Sequence, residues 1–109
     1  MTVTLPRPLA QYFAAKNRHD IDGMLIPFAS DAAVRDEGNI HQGSAAIRDW
    51  MEATTRKYRV TVEVADATAN GHAWRVAGIV SGNFPGSPAT LHYNFTLAGE
   101  RIARLEIGA

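Results

Sequence analysis

From Tyr58 onward the chain alternates apolar and polar residues in long runs, and side chains that alternate every second residue belong to strands. Tyr58, Val60, Val62 and Val64 alternate with Arg59, Thr61 and Glu63. Asn70-Gly71 is the signal of a tight hairpin. The next strand, His72 to about Ser81, puts Trp74, Val76, Gly78 and Val80 on one face and Arg75, Ala77, Ile79 and Ser81 on the other. Gly82 to Pro88 is turn material. Leu91, Tyr93, Phe95 and Leu97 then alternate with Thr90, His92, Asn94 and Thr96, and Ala98-Gly99-Glu100 turns the chain into a last strand ending near Ile107. Three or four long strands in a meander make a twisted sheet with one apolar face: Val60, Val62, Val64, Trp74, Val76, Tyr93, Phe95 and Leu97. The opposite face carries Thr61, Ala65, Ala77, Ile79, Asn94 and Thr96. It is too bland for a free, highly charged surface and is expected to cover a homodimer interface.

The first half supplies what covers the apolar face. Pro6 or Pro8 suits the first turn of a helix, and Leu9, Tyr12, Phe13 and Lys16 follow helical spacing, which predicts a helix over Pro6 to Arg18. Asp20 is a good N-cap for a shorter helix carrying Ile21, Met24, Leu25 and Phe28, which Pro27 ends or kinks. A short strand follows at Ala32 to Asp36, then turn residues Glu37-Gly38-Asn39 and a brief strand at Ile40-His41. Gly43-Ser44 caps a third helix from Ala45 to about Arg56, with Ile47, Trp50 and Met51 on one face. Helices first and antiparallel strands after make the fold class α+β, one domain over residues 1–109.

Composition excludes several functions. Lys plus Arg equals Asp plus Glu, so no basic footprint for nucleic acid or an anionic membrane is expected. The chain lacks cysteine, which removes disulfides and thiolate chemistry. No apolar stretch approaches a membrane span, and the start does not read as a secretory signal, so a cytoplasmic protein is expected. The four histidines have no i, i+4 partner among themselves, so no metal is expected, and no phosphate loop or nucleophile elbow implies a cofactor.

One residue sits oddly. Ala32, Val34 and Asp36 share a strand face, so if Val34 enters the core, Asp36 points the same way. Two readings stand. Asp36 is a pocket carboxylate, raised in pKa by burial among Trp50, Trp74 and Tyr93 and able to act as general acid or base. Or it is an exposed strand-end aspartate bonded to the N–H groups of Glu37-Gly38. His41 could pair with Asp36 at the pocket mouth. Tyr12 is a core tyrosine or a hydrogen-bond donor to a substrate oxygen. Two tryptophans and two tyrosines around one cavity would suit a flat apolar or aromatic ligand.

The segments Tyr12 to Gly23, Phe28 to Asp36, Gly43-Ser-Ala-Ala-Ile-Arg-Asp-Trp50 and Gly99 to Leu105 resemble the nuclear transport factor 2-like superfamily, most closely its SnoaL-like group and the ketosteroid isomerases. The resemblance implies a cone-shaped, cystatin-like α+β fold, with three N-terminal helices on a strongly curved, mixed, mostly antiparallel sheet enclosing a pocket, commonly as a dimer. Against the isomerases, Tyr12 falls at the oxyanion-donating tyrosine, Asp36 at the general base and Trp50 at a pocket aromatic. Tyr93 stands where that family has a protonated aspartic acid, and it is larger. The resemblance implies a cofactor-free isomerase, cyclase or hydratase using Asp36 and Tyr12, with Phe28, His41, Trp50, Trp74 and Tyr93 around a small apolar or aromatic ligand. The alternative is a non-catalytic ligand-binding or dimeric interaction domain.

Overall fold

In the computed structural model, which describes residues 3–109, helix α1 spans Arg7–Asn17. Met1 and Thr2, the first residues of the expected domain, lie outside the described residues. Pro8 occupies the first turn of α1, where a missing N–H leaves no bond unmade. Leu9, Tyr12, Phe13 and Lys16 all turn inward. Helix α2, Ile21–Leu25, starts on Asp20, whose Oδ1 accepts the Gly23 N–H at 3.1 Å. Pro27 has no N–H to return to the Gly23 carbonyl, so α2 stops short of Phe28. Phe28 instead opens strand β1, Phe28–Asp36, which is four residues longer at its start than expected and irregular between Phe28 and Ala33.

Strand β2, Asn39–Gln42, folds back antiparallel on β1, with His41 opposite Val34 and Asn39 opposite Asp36. Helix α3 spans Ser44–Tyr58 and runs two residues past its expected end. Arg59 then adopts a left-handed conformation (φ 47°, ψ 49°) that breaks the helix. Tyr58 and Val60 are therefore not strand residues, and the extended structure begins at Thr61.

Strands β3 (Thr61–Asn70), β4 (Ala73–Ser81), β5 (Ala89–Ala98) and β6 (Arg101–Gly108) form the meander. The six strands lie in the order β2-β1-β6-β5-β4-β3; β1 and β6 pair in parallel and every other pair is antiparallel. A register shift between Val64 and Asp66 leaves Ala65 without a partner on β4. Beyond it Ala67, half-buried against the core, lies opposite Val76, and the exposed Ala69 lies opposite Trp74.

Residues from all three helices and one sheet face share a single core. Five aromatic rings form its centre. Tyr12 meets Phe13, Phe28 and Phe95 edge-on at 5.2, 5.6 and 5.8 Å, and Phe13 meets Tyr93 edge-on at 5.2 Å. Gly78 makes room for this cluster in β4. A Cβ there would stand 2.7 Å from Val62 Cγ1, which would have to shift, and 3.3 Å from Tyr93 Cε1, a tight contact with the ring. On the outer face Thr61, Ala65 and Thr96 are exposed, while Ala77, Ile79 and Asn94 are half-buried.

The end of α1 is tied to the edge of the sheet. Asn17 Nδ2 donates to the Val62 carbonyl at 2.9 Å, and the Val62 N–H donates to Asn17 Oδ1 at 2.7 Å. His19 Nε2 lies 3.0 Å from the Val60 carbonyl. Asn17→Ala removes both bonds to Val62. It is expected to lower unfolding free energy by about 2 kcal/mol, read from the urea midpoint at unchanged slope.

Candidate active site

The strand carrying Val34 into the core ends on Asp36, whose side chain follows the same face and is half-buried. It looks into a half-open cavity of about 400 Å³. Each wall follows from a local period. Trp50, Thr54 and Tyr58 lie four residues apart on α3 and so form one stripe of that helix. Ala89, Leu91 and Tyr93 alternate along β5. Val80, Ile107, Val60 and Phe84 add to the apolar lining, Gly108 and Ala109 also border it, and the side chains of Lys16, Asp36 and Glu37 bring charge.

The Trp50 indole N–H donates to Asp36 Oδ2 at 3.0 Å. Burial pushes the Asp36 carboxyl above its ordinary range, the Trp50 bond pulls it back, Glu37 pushes it up again, and Lys16 and the Glu37 backbone N–H pull it down. Desolvation wins because the charged form loses more water than a single neutral donor restores. Asp36 is half-buried on the cavity wall, and among the described residues the hydrogen bond to its carboxylate comes from Trp50 and not from the Glu37-Gly38 turn.

The Glu37 carboxylate accepts from the Tyr58 hydroxyl at 3.3 Å, tying the cavity rim to the last turn of α3. The Asn83 N–H donates to the Tyr58 carbonyl at 2.7 Å and docks the loop that carries Phe84. Thr54 turns its hydroxyl back to the Trp50 carbonyl at 2.9 Å, so it offers the cavity mainly a methyl group.

Of the residues singled out by sequence, Asp36, Trp50 and Tyr93 line the cavity. Tyr12 does not; it is fully buried in the aromatic core, and its hydroxyl has no hydrogen-bond partner among the described residues. Burial pushes its phenol well above the ordinary range, with Tyr93 and Asp36 adding to the effect. Phe28 packs edge-on against Tyr12, inside the core. Trp74 is half-buried near the start of β4, opposite Phe95, while the cavity takes Val80 from the far end of that strand. His41 stacks on Trp50, with centroids 6.0 Å apart and planes at 29°. No hydrogen bond joins it to Asp36 among the described residues, because the Val34–His41 register sets it two residues from the Asp36–Asn39 pair.

Sequence reading missed Lys16, Glu37, Thr54, Tyr58 and Phe84 on the lining. The Trp50, Thr54, Tyr58 spacing could have revealed two of them. Among the described residues no group of three His, Asp or Glu side chains could hold a metal ion, and no helix is long and apolar enough to cross a membrane.

A model of the SnoaL-like domain matches residues 9–105. A crystal structure of a candidate polyketide cyclase from Sinorhizobium meliloti is 44% identical over 95% of each chain, with a TM-score of 0.92. A protein of ketosteroid isomerase-like fold from Catenulispora acidiphila, solved with trimethylamine, is 20% identical over 97% of this chain and 87% of its own, with a TM-score of 0.85. A nuclear transport factor 2-like protein from Cytophaga hutchinsonii is 14% identical over 99% and 91%, with a TM-score of 0.80. The last two share the fold, which is that of the cystatin-like α+β proteins expected above. No curated protein is a significant match to the chain.

A raised carboxyl has a readable consequence. Above its folded pKa, Asp36 is ionised in both states and burial of the anion destabilises the fold. As pH falls through the folded pKa, the folded state takes up a proton first and that penalty disappears. Asp36→Asn, which keeps an oxygen for Trp50, is expected to raise Tm at pH 7. The gain should shrink as pH falls toward the ordinary carboxylate range, followed by thermal melts from pH 7 to 4.

Proposed function

The chain belongs to the SnoaL-like domain family, and we propose that it is a small-molecule enzyme of the cyclase or isomerase type, working without a cofactor, in which Asp36 is the general acid and base. The observation that carries this reading is a desolvated carboxylate on the wall of an apolar cavity, with one oxygen held by an indole N–H. Held in this way, the carboxylate keeps one orientation and can take a proton from a carbon next to a carbonyl, then return it elsewhere on the bound molecule.

The oxygen of such a carbonyl gathers negative charge as the proton leaves and needs a donor. Tyr93 lines the cavity, and burial keeps its phenol far above the ordinary range, so it stays protonated and able to donate. Tyr12 stands behind the lining with an unpartnered hydroxyl, and a buried hydroxyl left without a partner is costly. The aromatic lining suits a flat apolar or aromatic ligand. The candidate cyclase at 44% identity supports a cyclising reaction on a polyketide-like substrate. The small, mildly polar outer face of β3 to β5 suits pairing with a second copy.

A binding domain without chemistry is the second reading. Tyr93 favours it, because it fills the place where ketosteroid isomerases keep a second acid.

Asp36→Asn is expected to lower turnover of a small cyclisable β-polyketone by roughly 10²–10⁴ while ligand binding persists. Asp31→Asn, at an exposed position on the same strand, should leave turnover unchanged. Unaltered turnover in Asp36→Asn would remove the acid–base reading and leave the binding domain.

A further inference from the structure

Lys16 is the single cation on the cavity lining among the described residues, and the acid–base role of Asp36 does not use it. It is 8% exposed. A lysine this buried ordinarily ends on a carboxylate. Here the ion pairs of the described residues all lie elsewhere, at Arg18–Asp20, Arg35–Glu106 and Arg48–Asp22. Lys16 Nζ instead stands 5.7 Å from the centroid of the Tyr12 ring, one helical turn back on α1. Asp36 acts on it through space without pairing with it.

An ammonium in this position could anchor an anion or, once deprotonated, act as a nucleophile. The lining argues against an anion, since Asp36 and Glu37 share the cavity wall with Lys16 and a ligand carboxylate would meet more negative side chains than positive. The nucleophile fits. Desolvation disfavours the ammonium and pulls Lys16 down to about 8. A tenth or so of it is then neutral at pH 7. The other lysine, Lys57, is fully exposed and is held above its ordinary value chiefly by the Tyr58 hydroxyl beside it.

We propose that Lys16 is a carbonyl-capturing amine, and that a small apolar or aromatic aldehyde or ketone entering the cavity condenses with its Nζ to form an imine. This rests on the reading of the cavity as the ligand site and narrows the ligand to a carbonyl compound. The Nζ lone pair adds to the carbonyl carbon, and the carbonyl π pair moves to oxygen, which takes a proton from the Asp36 carboxyl. Nitrogen gives its proton back to the Asp36 carboxylate. The hydroxyl, protonated again by Asp36, leaves as water while the nitrogen lone pair closes the C=N bond. Amine, carbonyl and the Asp36 proton become protonated imine, water and the Asp36 carboxylate, with no change of oxidation state. A protonated imine also acidifies the neighbouring C–H, which places the proton taken by Asp36 one carbon from the captured centre.

The probe is 2-naphthaldehyde with sodium cyanoborohydride at pH 7, applied to the intact folded chain and followed by digestion and peptide mass mapping. Lys16 and Lys57 are the chain's two lysines, so each reports on the other. Labelling of Lys16 at ten or more times the level of Lys57 is expected, with the preference lost in 8 M urea. Equal labelling in the folded protein, or a preference that survives urea, overturns the proposal. The urea arm makes the result independent of whether a Lys16 variant folds. The two readings separate cleanly. Labelling of Lys16 with full turnover in Asp36→Asn keeps the capture by Lys16 and removes Asp36 both as the acid–base group and as the proton shuttle of the condensation; loss of turnover without selective labelling removes the capture and keeps the acid–base role.

Discussion

The hydrogen bond from the Trp50 indole to Asp36 joins the middle of α3 to the last residue of β1, and the cavity is arranged around that join. It sets the stance of the helix face that continues through Thr54 to Tyr58. Tyr58 in turn holds Glu37 at the rim through its hydroxyl and the Phe84 loop through its carbonyl. It also determines which form of Asp36 the cavity favours. Burial alone would drive the carboxyl toward neutrality; a single N–H donor offsets part of that, leaving a group that can both hold and release a proton.

Lys16 and Asp36 share the cavity without closing into an ion pair. Had they paired, each would have kept its charge and been withdrawn from chemistry. Unpaired, they move in opposite senses under the same cause: desolvation raises the carboxyl and lowers the amine. Their titration ranges approach each other, so proton donor and proton acceptor forms coexist nearer neutrality than free side chains allow. Stability is the quantity sacrificed, since both charged forms are deprived of water.

The sheet was legible because its signal is a strict period of two. Val62, Val76, Val80, Tyr93 and Phe95 face the core as the alternation requires, and the bulge at Ala65 did not disturb the residues before it. The direction of Asp36 followed from Val34 by the same rule. The boundary at Tyr58 was not legible. Tyr58-Arg-Val-Thr-Val reads as strand, and the left-handed turn at Arg59 has no glycine to announce it. That one misplacement hid Tyr58 from the site. Lys16 was hidden differently. Its place on the apolar stripe of α1 was visible, but a lysine at a stripe edge usually snorkels to water, and nothing local shows that the sheet closes over it. The parallel pairing of β1 with β6 joins segments some seventy residues apart, which no local pattern records.

The clamp of Asn17 on Val62 bears on how copies of this chain can meet. Strand β3 ends the sheet on one side, and an open edge is a template on which another chain can lay a seventh strand. Asn17 and His19 occupy the outward-facing polar groups of Val62 and the carbonyl of Val60, so an incoming strand finds its first partners taken. A few residues on, the bulge at Ala65 twists the ladder out of line. Continuous edge-to-edge growth into fibres is thereby discouraged along this border.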